Sequence, residues 1–171
     1  MADFVLVHGA WHGGWCWSRL ANILRARGHR VTAPTQTGLG ERSHLLSPDI
    51  TIRTFAEDIV RHLQFEDLSG VTLVGHSFGG IPITGVADLV PERIAKLVYL
   101  DAIMLESGET WFDLLPQDLA EDRRKLAETS SGGLSLPPAP PDSFGITRPD
   151  DVAFLKPRLT PHPFRTFTTA L

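Results

Sequence analysis

The stretch Val71-Thr72-Leu73-Val74-Gly75-His76-Ser77-Phe78-Gly79-Gly80 places a serine between small residues, at the end of an apolar run. Such a run predicts a buried strand, and the flanking glycines let the chain turn into a helix within about two residues. That turn forces Ser77 into a strained backbone conformation with its Oγ projecting from the edge of a sheet. Side chains at Gly75 or Gly79 would collide with the neighbouring strand or helix. We therefore interpret Ser77 as a nucleophile rather than as part of an ordinary glycine-rich turn.

Four short apolar runs alternate with stretches of helical periodicity, a pattern typical of parallel strands buried between helices. The predicted strands are residues 4–7, 30–33, 71–74 and 97–100. The predicted helices are residues 15–27, 54–63 and 79–89, and the first should face inward through Leu20, Ile23 and Leu24 and end at Gly28. Right-handed crossovers would stack these helices on both faces of a doubly wound, mostly parallel α/β sheet.

The pattern changes in the last third of the chain, where no strand is predicted. A proline-rich passage at residues 136–141 cannot lie inside a helix. Short helices are expected at residues 111–115, 119–128 and 149–155. We therefore divide the chain into a core at residues 1–103 and a helical, proline-rich lid or cap segment at residues 104–171.

Composition limits the class of protein. At 171 residues the chain suits one compact domain that buries roughly 70 % of its unfolded surface. With 16 basic and 20 acidic side chains it lacks the basic stripe that nucleic acids require. Cys16 has no internal disulfide partner, the N-terminus shows no charged leader, and no apolar run reaches about 18 residues. We expect a soluble, cytoplasmic protein without nucleic-acid or membrane partners, and the oligomeric state stays open.

A second motif, Val7-His8-Gly9-Ala10-Trp11-His12-Gly13-Gly14-Trp15, follows the first predicted strand. In acyl transfer, two fixed backbone donors stabilise the negative oxygen of the tetrahedral intermediate by several kcal/mol. One donor should come directly after the nucleophile and the other from the loop after this earlier strand. Those donors would be the N–H groups of Phe78 and Ala10. Because the first and third strands are neighbours in a doubly wound sheet, both loops should open into one crevice.

The roles of the histidines are less clearly indicated by the sequence than those of Ser77 and the two backbone donors. His8 and His12 are four residues apart, but the glycines around them indicate a loop and no third ligand is evident, so no metal is predicted. We expect His8 to brace the loop and His12 to form a pocket wall. His76 should point away from the nucleophile and serve packing or hydrogen bonding. His162 lies between two prolines, which predicts an exposed turn rather than a catalytic base.

The loop at residues 8–17 and the elbow at residues 75–80 together resemble the α/β-hydrolase superfamily. The resemblance is greatest to the branch of plant methylesterases and hydroxynitrile-lyase-like proteins with their bacterial carboxylesterase relatives, which residues 28–33 and 148–153 also fit. It implies a Ser-His-Asp hydrolase with a mostly apolar pocket beneath a helical lid. Lyases of this branch carry threonine in place of Gly9 and an elbow reading Gly-Glu-Ser-Cys-Gly. Gly9, His76 and Phe78 therefore favour ester hydrolysis, and Ser77 excludes dehalogenase chemistry, which needs aspartate there.

In that family the catalytic acid and histidine follow two further strands after the lid. The resemblance therefore implies that the last strands and both residues, about a third of a family-length chain, lie outside these 171 residues. Without an imidazole, the Ser77 hydroxyl is a poor nucleophile. Asp101, at the end of the fourth predicted strand, is an alternative acid, because some enzymes of this fold use that position. The fourth strand would form an unprotected apolar edge.

The sequence thus predicts a carboxylesterase that cleaves a small to medium apolar ester through an acyl-enzyme, without a cofactor. The aromatic and apolar side chains expected to line its pocket, unless they are ordinary core residues, are Trp11, Ile103, Met104, Trp111 and Phe112. The alternatives are a noncatalytic ligand-binding module of the same fold and an inactive fragment, followed by a hydroxynitrile lyase.

Overall fold

The computed structural model describes all 171 residues. Its centre is a sheet of four strands, β1 (Asp3–Val7), β2 (Arg30–Thr32), β3 (Val71–His76) and β4 (Ile94–Leu100). The strands are ordered β2-β1-β3-β4 and every pairing is parallel. The strand order reverses between β1 and β3, and a crevice opens at the carboxyl ends of strands at such a point. The predicted doubly wound α/β fold is confirmed.

Helices cover both faces of the sheet. Alternate side chains of β1 point to opposite faces, so Val5 and Val7 pack on one side and Leu6 on the other. The first side is covered by α2 (Ile52–Phe65) and α3 (Gly80–Leu89), and the second by α1 (Ser18–Ala26). The helix positions agree with the sequence prediction to within two or three residues at most ends.

The predicted inward stripe of α1 is wrong at two positions. Leu20 and Ile23 are 39 % and 53 % exposed, whereas Ala21 is buried. Trp17, from the 3₁₀ turn before the helix, fills the space over the sheet, and the helix approaches through the small Ala21. Gly28 ends this segment as expected, because its φ of +83° suits glycine.

Residues 104–171, for which we keep the name lid segment, contain α4 (Gln117–Ser131), α5 (Pro149–Leu155) and α6 (Arg165–Thr168), and also two strands that the sequence analysis missed. β5 (Ser135–Leu136) pairs antiparallel with β6 (His162–Pro163). Proline is tolerated here because a ladder of two residues needs few N–H donors. The lid shares one apolar cluster with the core, to which it contributes Leu105, Phe112, Ala127, Leu136 and Phe167.

β4 is an open edge of the sheet, as the sequence predicted. It pairs only with β3, and its last residue, Leu100, is 47 % exposed. Lys96 adds an exposed charge to this strand. No helix of the chain has both the length and the apolar character needed to cross a bilayer.

Asp58 anchors the loop after β2 to α2. Its carboxylate accepts hydrogen bonds from the Thr37 N–H at 2.6 Å and the Thr37 hydroxyl at 2.8 Å, and it pairs with Arg42 at 3.4 Å. Asp58→Ala is expected to lower the free energy of unfolding by about 2 kcal/mol, because half-buried donors lose their acceptor. Urea denaturation measures the loss. The control, Glu57→Ala, removes only an exposed pair with Arg53 and should change stability by less than about 0.5 kcal/mol.

Candidate active site

The elbow at the end of β3 has the predicted strain. Ser77 has a φ of +53°, a left-handed conformation that side chains rarely adopt. A 3₁₀ turn over Ser77–Gly79 leads directly into α3. The Ser77 carbonyl accepts a hydrogen bond from the Ile103 N–H at 3.0 Å, which ties the elbow to the last residue before the lid segment. The Ser77 side chain is half-buried, and its hydroxyl takes part in no hydrogen bond of the chain.

The loop after β1 lies against this elbow. A Cβ built on Gly9 would lie only 3.1 Å from the Ser77 Cβ, so glycine allows this close approach. The neighbouring Ala10 N–H and the Phe78 N–H donate none of the hydrogen bonds that the loops form, and Phe78 is the second residue of its 3₁₀ turn, whose leading N–H groups have no partner within the turn. The structure therefore places two unused backbone donors on the two segments where the sequence predicted an oxyanion hole.

Trp11 joins this loop to the lid through three hydrogen bonds. Its N–H donates to His162 Nδ1 at 3.2 Å, its indole Nε1–H donates to the Leu136 carbonyl at 3.0 Å, and its carbonyl accepts from the Thr160 N–H at 3.0 Å. Its φ of +64° is the second strained conformation at this edge of the sheet. Sequence reasoning named Trp11 as a pocket wall and missed this anchoring role.

Of the other predicted pocket residues, Met104 is 63 % exposed, so that prediction is wrong, whereas Phe112 is buried in the apolar cluster that core and lid share. Ile103 and Trp111 pack against the shared apolar cluster, and the Trp111 ring lies 4.8 Å from that of Phe167. His12 lines a cavity of about 520 Å³ toward α5 and one of about 250 Å³ beside His76. The lid lies directly on the elbow, because the Phe167 ring is 4.9 Å from that of Phe78.

The structure corrects the prediction for His162 and shows the hydrogen bonds by which His8 braces the loop. His162 is fully buried rather than exposed, because it belongs to β6 and not to a turn. His8 is also fully buried and braces the loop: its Nδ1–H donates to the Gly9 carbonyl at 2.9 Å and its Nε2 accepts the Gln36 N–H at 3.1 Å. Burial lowers the pKa of His8 to about 4.

Neither His76 nor Asp101 is bonded to Ser77. Burial lowers the pKa of His76, and the nearby Asp101 carboxylate opposes that shift only in part. Asp101 follows β4 with a strained φ of +44° and is exposed. No three His, Cys, Asp or Glu side chains lie close enough together to hold a metal ion. The chain thus presents a serine and two backbone donors without an imidazole hydrogen-bonded to the serine.

Comparison with known proteins gives the family. Residues 4–171 match the alpha/beta hydrolase family, and the chain belongs to it. The chain is 52 % identical over 119 residues to the carbendazim hydrolyzing esterase of Nocardioides sp. (strain SG-4G), covering 70 % of this chain and 49 % of that protein. It is 37 % identical over 137 residues to methylesterase 9 of Arabidopsis thaliana, covering 78 % and 54 %. It spans about half the length of these curated relatives.

The structure is also similar to a solved relative. An extracellular alpha/beta-hydrolase from a Paenibacillus species superposes with a TM-score of 0.89 at 26 % identity. The match covers 100 % of this chain and 71 % of that one. The predicted branch of plant methylesterases and hydroxynitrile lyases with bacterial esterase relatives is confirmed.

Proposed function

We propose that this chain carries the nucleophile and oxyanion half of a carboxylesterase. Three features support the proposal: the strained Ser77, the unused N–H groups of Ala10 and Phe78 beside it, and the esterases among its relatives. The single observation that carries it is the pair of free donors next to a strained serine, because a purely structural turn has no need to leave both donors without partners.

In the proposed reaction, the Ser77 Oγ attacks the carbonyl carbon of the ester and loses its proton to a base. The carbonyl oxygen becomes negative and is stabilised by the N–H groups of Ala10 and Phe78. The tetrahedral intermediate collapses to an acyl-serine as the alcohol leaves, and water then releases the acid. The base must be an imidazole that these 171 residues do not place on Ser77, so activity depends on how that group is supplied.

The side chains between elbow and lid and the names of the relatives support the proposed substrate class. Trp11, Ile103 and Trp111 are apolar and lie where the lid meets the elbow, which favours a small to medium apolar ester. The relatives are named as a carbendazim hydrolyzing esterase and a methylesterase, and both names favour an ester substrate. Gly9, where lyases of this branch carry threonine, argues against cyanohydrin cleavage.

A noncatalytic ligand-binding module is the second candidate, because no hydrogen bond joins an imidazole to Ser77. The two candidates make opposite predictions for covalent modification, since only the enzyme needs a reactive hydroxyl facing backbone donors.

A serine-directed phosphonate tests the proposal. We expect an adduct on the peptide that contains Ser77, found by mass spectrometry, and faster labelling when free imidazole is added as a substitute base. Ser77→Ala should abolish the adduct, while Ser107→Ala, at an exposed loop serine, should leave it unchanged. A folded chain that stays unlabelled both with and without imidazole would overturn the esterase proposal and support the binding module.

A further inference from the structure

We propose that His162, a lid residue, is a positioning residue for the oxyanion site, because its Nδ1 holds the N–H of Trp11 and so fixes the Ala10–Trp11 peptide. This inference rests on the proposed function and deepens it. It assigns to the lid a part in aligning the donors, in addition to covering the crevice. His162 does not touch the reacting atoms and acts through the loop that carries them.

The ring of His162 is held in one orientation and one tautomer. Its Nε2–H donates to the Thr166 hydroxyl at 2.8 Å, and that hydroxyl donates to the Pro163 carbonyl at 2.7 Å. Since Nε2 carries the proton, Nδ1 of the neutral ring is an acceptor, and it faces the Trp11 N–H. Burial lowers the pKa of His162 well below its ordinary value, so the ring keeps this acceptor.

Imidazoles form hydrogen bonds with both the N–H and the carbonyl of the Ala10–Trp11 peptide. Its N–H donates to His162 at 3.2 Å, and its carbonyl accepts from His12 Nδ1–H at 2.7 Å. These two hydrogen bonds hold Trp11 in its positive-φ conformation, which costs of order 1 kcal/mol or more. Without the His162 acceptor, only the His12 bond holds this peptide against rotation toward a relaxed conformation.

The adjacent Gly9–Ala10 peptide carries the oxyanion donor. Its carbonyl accepts from His8 Nδ1–H at 2.9 Å. In a trans peptide the N–H points opposite to the carbonyl, so this bond aims the Ala10 N–H away from His8. A rotation of the next peptide would shift Ala10 and misalign that donor, and small errors of donor position lower rates steeply.

The same imidazole also touches the other donor residue. The Phe78 ring lies 4.8 Å from the His162 ring in an edge-to-face arrangement. His162 reaches this place because β6 pairs with β5, and the β5 residue Leu136 accepts the indole N–H of Trp11. One lid side chain is therefore in contact with both segments that supply donors.

Two substitutions separate positioning from packing. His162→Asn places an amide oxygen close to the position of Nδ1 and can accept the Trp11 N–H, whereas His162→Leu fills a similar volume without an acceptor. Phosphonate labelling of Ser77 is measured over a range of reagent concentrations, with imidazole present. We expect the leucine variant to label 10- to 100-fold more slowly at saturation with little change in the half-saturating concentration. The asparagine variant should return to within about threefold of the unsubstituted chain.

Urea denaturation shows whether both variants fold, and His44→Leu, at an exposed histidine, is the control. A leucine variant that labels at the original rate, or a folded asparagine variant that does not recover, overturns the inference. If the unsubstituted chain is not labelled at all, the proposed function fails instead. The hydrogen bond from the Trp11 N–H to His162 is then tested by hydrogen exchange of the Trp11 amide. Exchange should be at least about 10-fold faster in the leucine variant, and an unchanged exchange rate overturns the inference.

Discussion

Gly75→Ala is expected to remove about 3 kcal/mol or more from the free energy of unfolding and to abolish phosphonate labelling of Ser77. A Cβ at this position would lie 2.5 Å from the Gly79 carbonyl oxygen and 2.8 Å from the Gly79 carbonyl carbon. Gly79 cannot retreat, because its own Cα already faces the His8 carbonyl so closely that a Cβ there would be 2.7 Å from that oxygen. The elbow must open to accept one methyl group, and the geometry around Ser77 is then lost.

Gly85→Ala is the matched control, because it adds the same methyl group elsewhere in the same segment. Gly85 lies inside α3, and its Cβ would first meet the end of the Leu171 side chain at 3.0 Å, which can move. Alanine is also the better helix former by up to about 1 kcal/mol. We expect stability within about 1 kcal/mol of the original chain and unchanged labelling. Equal urea midpoints for the two variants would contradict the contact of Gly75 with Gly79.

The features that sequence predicted well depend on local chemistry. Strands β1 and β3 are runs of β-branched and apolar residues, and the elbow needs glycine at two fixed offsets from Ser77, so neighbouring residues alone determine both. The end of α1 was predictable for the same reason, because Gly28 supplies a positive φ. Parallel order then followed from the alternation of strands and helices.

The features that sequence missed depend on distant partners. The bond between Trp11 and His162 joins residues 151 positions apart, and no local pattern distinguishes a buried acceptor from a histidine in a proline-rich turn. The only available signal was the four-residue spacing of His162 and Thr166, which allows a side-chain hydrogen bond. β5 and β6 were missed because a ladder of two residues has no periodicity to detect.

The inward face of α1 shows a third kind of failure. Periodicity identified an apolar stripe, but it could not show that Trp17, outside the helix, would occupy the space over the sheet. Leu20 and Ile23 were left exposed as a result. A hydrophobic pattern therefore limits which residues can be buried, while the size of neighbouring side chains decides which of them are.

Acid is expected to destabilise the folded chain through its buried neutral histidines, and His8 allows the size to be calculated. Its pKa is about 4 in the folded chain against an ordinary value of 6.5. Between these two pH values His8 binds a proton in the unfolded chain but not in the folded chain, so the free energy of unfolding falls as the pH is lowered. The contribution of neutral His8 to the free energy of unfolding amounts to about 3 kcal/mol. It is fully present above pH 6.5 and is lost by about pH 4. His162 and His12, whose pKa values burial also lowers, act in the same direction.

Urea denaturation at a series of pH values between 7.5 and 4.5 measures this loss, and His8→Asn separates the His8 share from the rest. Asparagine can still donate to the Gly9 carbonyl but does not titrate, so the variant should be less stable at pH 7.5 and lose about 2 to 3 kcal/mol less on acidification. His44→Gln, at an exposed histidine, should keep the full pH dependence. If His8→Asn lost as much stability as the original chain, His8 would already accept a proton when folded. Its bond to Gly9 could then not be the neutral brace that aims the Ala10 donor, because a charged ring has no acceptor for the Gln36 N–H.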